Sequence, residues 1–202
     1  MTHLHARAAG VPHQRPTNDV DLVLLPAGTY SDTARALRSL GYRPHESIDA
    51  GSPFHRFARG ADIVDVMASE GRRLKFLNRP VLEAPGTRSA LSRTVLFHVG
   101  GQTHVNLPDI ASALSVKGAA AQTDGLSRAK HIDDAITLFA CASNQELVLS
   151  RSMRRHINHL ITDLSRLTPW LSVAVDKRVR AVQTIRRIRP GWEAPTPGKR
   201  TG

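Results

Sequence analysis

The sequence predicts an α/β (α+β) protein in which a mixed β-sheet N-terminal half precedes a helical C-terminal half. Three observations predict it. Up to about residue 106, short β-branched runs alternate with turn signals. From Pro108 onward the apolar period becomes helical. With 202 residues and 41% apolar content, the chain can build one compact domain or two small lobes around a cleft. Aromatics make up only 4%, so the core is expected to rely on Leu, Val, Ile and Ala.

The elements follow in order. Val20 to Leu25 is a short β-branched run closed by Pro26, which reads as a strand. Tyr30 to Leu40 reads as a helix, capped by Ser31 or Asp32 and stopped by Gly41. Tyr42 to His45 is extended, since Pro44 biases its predecessor toward β. Phe54–Ala58 and Ile63–Met67 flank Arg59-Gly60 and predict a hairpin. Thr94–Val99 and Thr103–Leu107 predict a second one around Gly100-Gly101. Pro108 suits the first turn of a helix reaching about Ala121, and another helix runs from about Ser127 to Ala142. Further helices are expected over 145–166 and 170–188. The resulting division is 1–107 for the sheet-bearing core, 108–188 for a helical lobe and 189–202 for a proline- and glycine-rich tail expected to be disordered.

Composition narrows the function classes. No apolar run reaches the roughly 18–20 residues of a membrane-spanning helix, and Met1 to Arg7 lacks the apolar centre of a secretory signal. A cytoplasmic protein without membrane association is the expectation. A single cysteine, Cys141 in an apolar run, excludes an internal disulfide and a Cys-rich zinc site, and predicts plain packing. Twenty-eight Lys and Arg against 17 Asp and Glu give a formal charge of +11, which attracts polyanions. An arginine-rich proteome would raise the charge in the same way without any nucleic-acid role. Oligomeric state leaves no mark in the sequence.

Thr17-Asn18-Asp19-Val20-Asp21 carries the sharpest chemistry. Two carboxylates at i and i+2 on an extended segment face the same side, where their hard oxygens can chelate one magnesium or manganese ion. Read alone, the pattern also fits a turn in which Asn18 and Asp19 cap the strand and Asp21 faces solvent. Asp65 adds a third carboxylate, mid-strand between Val64 and Val66, where a charge is costly unless it meets a cation or a metal. The alternative there is a strand with one edge-facing Asp.

Arg15-Pro16-Thr17-Asn18-Asp19-Val20-Asp21-Leu22 resembles the R-x-T-x-D-[IV]-D-L signature of AbiEii-type nucleotidyltransferases, a group that includes toxin halves of toxin–antitoxin pairs and the mycobacterial MenT-like toxins. The resemblance implies the nucleotidyltransferase fold of the DNA polymerase β-like superfamily, with Asp19, Asp21 and Asp65 binding Mg²⁺ or Mn²⁺ and a nucleoside triphosphate (NTP) as substrate. Pro108 to Lys117 is similar to the family segment ending in a triphosphate-binding Lys. Arg128 to Asp134 is similar to its R-x-K-D/H-x-x-D element, here with His131 where many relatives have Asp. By that match Lys117 contacts the phosphates and Arg128 belongs to the nucleotide-binding set. Asp134 then positions Lys117 or the acceptor. Thr17 stands where a Ser usually shares the triphosphate contact. The Gly-Gly or Gly-Ser pair that many superfamily members carry about ten residues before the carboxylates is absent, and the helix there is expected to be nearly lost.

Without the resemblance, Lys117 reads as a stem passing apolar neighbours, and Arg128 and Lys130 beside Asp133 and Asp134 read as a salt-bridged helix face. His3 and His5 on a mobile end, and His156 and His159 on a helix, read as surface histidines. Arg151, Arg154, Arg155, Lys177, Arg178, Arg180, Arg186, Arg187 and Arg189 recur at helical spacing and can track a phosphate backbone. The expectation is therefore a transferase that moves a nucleoside monophosphate onto an acceptor, with Asp65 as the base toward its hydroxyl. The resemblance implies a tRNA 3′ end or other RNA as acceptor, and a cognate antitoxin as protein partner. Two alternatives stand beside it: a small-molecule, aminoglycoside-type nucleotidyltransferase, against which the positive charge argues, and a catalytically inactive binder of RNA or a partner.

Overall fold

The computed structural model describes residues 1–13, 19–24, 29–45, 52–166 and 168–195. Its first elements are α1 (Thr2–Ala8), β1 (Asp19–Leu24), α2 (Thr29–Ser39), β2 (Arg43–Pro44), β3 (Arg56–Arg59) and β4 (Asp62–Ser69). Short strands β5 (Lys75–Phe76), β6 (Arg79–Pro80) and β7 (Glu83–Ala84) and the single turn α3 (Thr87–Ala90) follow. Then come β8 (Thr94–Gly100), β9 (Thr103–Pro108), α4 (Ile110–Thr123), α5 (Arg128–Cys141), α6 (Arg151–Asp163), a 3₁₀ turn (Thr168–Trp170) and α7 (Val175–Ile188). The mixed α/β class is as predicted, and among the described residues no helix is long and apolar enough to cross a membrane.

The chain divides into two compact units, Arg15–Arg88 and Met1–Gln14 with Ser89–Gly202. This line differs from the 107/108 division that the change of period suggests. The β8–β9 hairpin pairs only with itself among the described strands and runs straight into α4 through Asp109. His5 of α1 hydrogen-bonds the Pro108 carbonyl at 2.9 Å and meets the Phe97 ring edge-on, so both segments belong with the helices.

In the sheet unit the strand order is β1-β4-β3-β2, with β1 parallel to β4 and the β4–β3 and β3–β2 pairs antiparallel. Period-two alternation gives the sheet two different faces. Leu22, Leu24, Phe57, Val64, Val66 and Ala68 form one core with Tyr30, Ala34 and Leu37 of α2. Tyr30 Oη donates to the Val66 carbonyl at 3.3 Å, fixing α2 on that face. Phe54, Phe57, Phe76 and Tyr30 stack within this core, so aromatics concentrate here despite their scarcity in the chain. The β3–β4 turn is Gly60–Ala61, one residue beyond the expected pair, and Gly60 supplies the positive φ of +58°.

The helical unit packs Leu114, Ile136, Phe139, Ile157, Leu160 and Ile185 into its own core. Pro108 closes β9 rather than opening a helix, and the Asp109 side chain caps α4 by accepting from the Ser112 amide at 2.8 Å. The helices expected over 145–166 and 170–188 are shorter, because Ser150 caps α6 and a 3₁₀ turn precedes α7. The first part of the expected tail is anchored at Trp192, which is buried and whose Nε1 donates to Ser165 Oγ at 3.0 Å. The remainder of that tail lies outside the described residues. Cys141 is buried as expected, and burial pushes its thiol up to about 11.

Candidate metal centre

The polar face of the sheet is the one opposite the α2 core. β1 and β4 run in register, with Asp19 opposite Ile63 and Asp21 opposite Asp65. Residues at i and i+2 of β1 therefore share their face with Asp65. One oxygen from each of Asp19, Asp21 and Asp65 lies within 4.8 Å of the others. Among the described residues this is the one group of three His, Cys, Asp or Glu side chains so placed. Asp21 is exposed, Asp19 half-buried and Asp65 buried at 7%.

A residue that sequence reasoning missed completes the row. Arg56 stands opposite Asp65 on the antiparallel side. Its Nε donates to Asp65 Oδ1 and its Nη2 to Oδ2, both at 2.8 Å. Such a fork is the strongest common geometry for a carboxylate partner. The guanidinium holds its proton more tightly than usual, chiefly through the Asp65 hydrogen bonds; burial opposes this, and the charges of Asp65, Asp19 and Asp21 add to it. The signal was available in the hairpin: a two-residue turn at Gly60–Ala61 pairs position 56 with 65. Reading the turn one residue early hides it.

The donor set fits a hard divalent cation. Octahedral magnesium at about 2.1 Å separates neighbouring oxygens by about 3 Å and opposite ones by about 4.2 Å, and the 4.8 Å that bounds the separations in the cluster is slightly wider than this. Asp65 can still contribute, because each carboxylate oxygen has lone pairs beyond the one engaged by Arg56.

Other expected site residues fall in the helical unit. Lys117 of α4 pairs with Asp134 of α5 at 2.7 Å, with the lysine side chain 14% exposed and the aspartate 1%. Arg128 is engaged elsewhere, its Nη2 on Asp163 Oδ1 at 2.6 Å. Thr17 lies outside the described residues. Of the basic positions on α7 and after it, Arg180 bonds Ser143 Oγ and the Ala9 carbonyl, and Arg187 bonds the Ala142 carbonyl. Arg178 reaches the Pro195 carbonyl while lying over Trp170. Those three are fastenings of the fold, whereas Arg151, Arg154 and Arg155 on α6 are exposed. His5 is buried at 4%, contrary to the expected mobile end, because α1 forms and docks it on Pro108. His159 is a surface residue, as expected.

No protein-family model matches the chain, and no curated protein matches it.

Proposed function

We propose that this protein is a divalent-metal-dependent nucleotidyltransferase that moves a nucleoside monophosphate from an NTP onto an acceptor hydroxyl. The observation that carries the reading is the register of β1 and β4, which brings Asp19, Asp21 and Asp65 onto one face within chelating distance. A cation held there would neutralise triphosphate charge and act as a Lewis acid for in-line displacement. Asp65 sits on a central strand, on the face it shares with Asp19 and Asp21, and is the proposed base that receives the acceptor proton. The acceptor oxygen bonds to the α-phosphorus as the bond to pyrophosphate breaks. Lys117, held by Asp134, is the proposed phosphate contact.

The acceptor we propose is the 3′ end of tRNA, and the biological role is that of a toxin restrained by an antitoxin. The formal charge of +11 and the exposed arginines of α6 support a nucleic-acid acceptor over a cationic small molecule. One observation favours a second reading, a non-catalytic binder: both oxygens of Asp65 already accept from Arg56. The test is incubation with total tRNA, Mg²⁺ and each α-³²P-labelled NTP, beside an Asp19→Ala control. Label on tRNA that the control lacks supports the transferase. Absence of label with all four, from folded protein, favours the binder or a small-molecule acceptor.

A further inference from the structure

Three features of Arg56 go beyond its being a partner of Asp65. Its backbone is fixed, since β3 pairs with β4 and the His45 amide donates to the Arg56 carbonyl at 2.9 Å. Its side chain is 36% exposed while that of Asp65 is 10% exposed, so the guanidinium is the member of the pair with room to withdraw. It approaches Asp65 from the β3 side, whereas Asp21 faces Asp65 from β1. The positive charge and the proposed cation therefore address the same carboxylate from neighbouring strands.

We propose that Arg56 is a built-in counter-cation that regulates metal loading: it holds Asp65 in the metal-free protein and lowers the affinity of the carboxylate cluster for a divalent ion. This rests on the metal-site reading above. The physical reason is that three carboxylates within 4.8 Å repel one another, and a guanidinium bridging one of them offsets part of that repulsion. The same charge repels an arriving cation. Stability without metal and affinity for metal are thus set against each other by one side chain, and loading involves loosening the Arg56–Asp65 fork.

The proposal separates charge from geometry. Arg56→Gln removes the charge and the fork, while Arg56→Lys keeps the charge and loses the fork. Mn²⁺ binding to the full chain is read by loss of the free-ion electron paramagnetic resonance signal, with circular dichroism verifying the fold and a thermal midpoint recorded without metal. Arg56→Gln is expected to bind Mn²⁺ about tenfold more tightly than wild type, equivalent to about 1.4 kcal/mol. Its metal-free midpoint is expected to fall by about 2–4 °C. Arg56→Lys should bind within about twofold of wild type. Weaker binding by both variants would overturn the proposal and make Arg56 a geometric support of Asp65. Unchanged binding by Arg56→Gln would overturn it too, leaving Arg56 a bystander. If neither wild type nor Arg56→Gln binds Mn²⁺, the metal-site reading itself fails and takes this proposal with it. Binding by Arg56→Gln alone would support the proposal in its strongest form.

Discussion

Lys117 and Asp134 form a buried ion pair across the α4–α5 contact, 2.7 Å apart with the carboxylate 1% exposed. Replacing one partner removes the opposite charge that compensates the other in a low-dielectric site. Lys117→Met is therefore expected to cost about 3–5 kcal/mol. The double replacement Lys117→Met with Asp134→Leu should regain most of that loss, since a packed apolar pair of similar volume needs no compensation. If Lys117 contacts triphosphate, the double variant regains stability in urea unfolding but not nucleotidyl transfer. Recovery of both would make the pair purely structural.

Gly118 of α4, next to Lys117, lies against the α6 backbone at His156. A Cβ there would collide with the backbone carbonyl of His156. Gly118→Ala gains helix propensity but forces the two helices apart, and overpacking of this kind costs about 1–3 kcal/mol. Thermal unfolding should show a lower midpoint than wild type. A raised midpoint would mean that α6 yields at no cost.

Acidification should destabilise the protein in two separate steps. Burial pushes His5 and His131 below the usual histidine value, and for His131 the Lys117 charge adds to burial against the opposing pull of Asp124. Between those lowered values and about 6.5 the unfolded chain binds more protons than the folded one. Stability therefore rises with pH through that window and is lost as pH falls below about 6.5. Asp124 is held below the ordinary carboxyl value chiefly by the Ser127 amide. Its contribution is present above about 3.9 and disappears as pH falls through the lowered value. Melting curves from pH 7.5 to 3 should show both steps, and His131→Asn should shrink the upper one. A wild-type midpoint that does not fall between pH 7 and pH 5 would contradict this.

Arg151, Arg154 and Arg155 are exposed on α6, whose remaining outward positions include Asn158 and His159 and no acidic residue. Changing all three arginines to Glu is expected to weaken tRNA binding and to lower the slope of log affinity against log salt by about 2–3. Arg187→Glu should instead lower the melting point, because that guanidinium holds the Ala142 carbonyl at the end of α5. Equal loss of tRNA affinity from both changes, with folding intact, would show that α6 has no special part.

The extent to which sequence revealed structure depended on how local each cause is. The longer strands β1, β3, β4, β8 and β9, both hairpins and the α2, α4 and α5 helices were legible because alternation, positive-φ glycines and helical period act within a few residues. The two-residue strands β5, β6 and β7 were not expected. Asp19 and Asp21 were legible as a pair because residues at i and i+2 of a strand share a face, Asp65 as a carboxylate that calls for a cation between Val64 and Val66, and the three as one group through the family resemblance. Arg56 was not, since one residue in the placement of the turn decides what faces Asp65. His5 and Trp192 sit near the ends of the chain, and their partners Pro108 and Ser165 are 103 and 27 residues away. No window on the sequence joins them. The basic positions were legible as a charge pattern, but which arginines fasten the fold is set by carbonyls such as Ala9, Ala142 and Pro195.

The most direct test of the metal centre is anomalous diffraction from crystals of the wild-type protein grown with Mn²⁺. The expected result is a manganese peak within about 2.2 Å of oxygens from Asp19, Asp21 and Asp65, with the Arg56 fork loosened. A map with the Arg56–Asp65 fork intact and manganese only at other sites would contradict the assignment of these carboxylates as a metal centre.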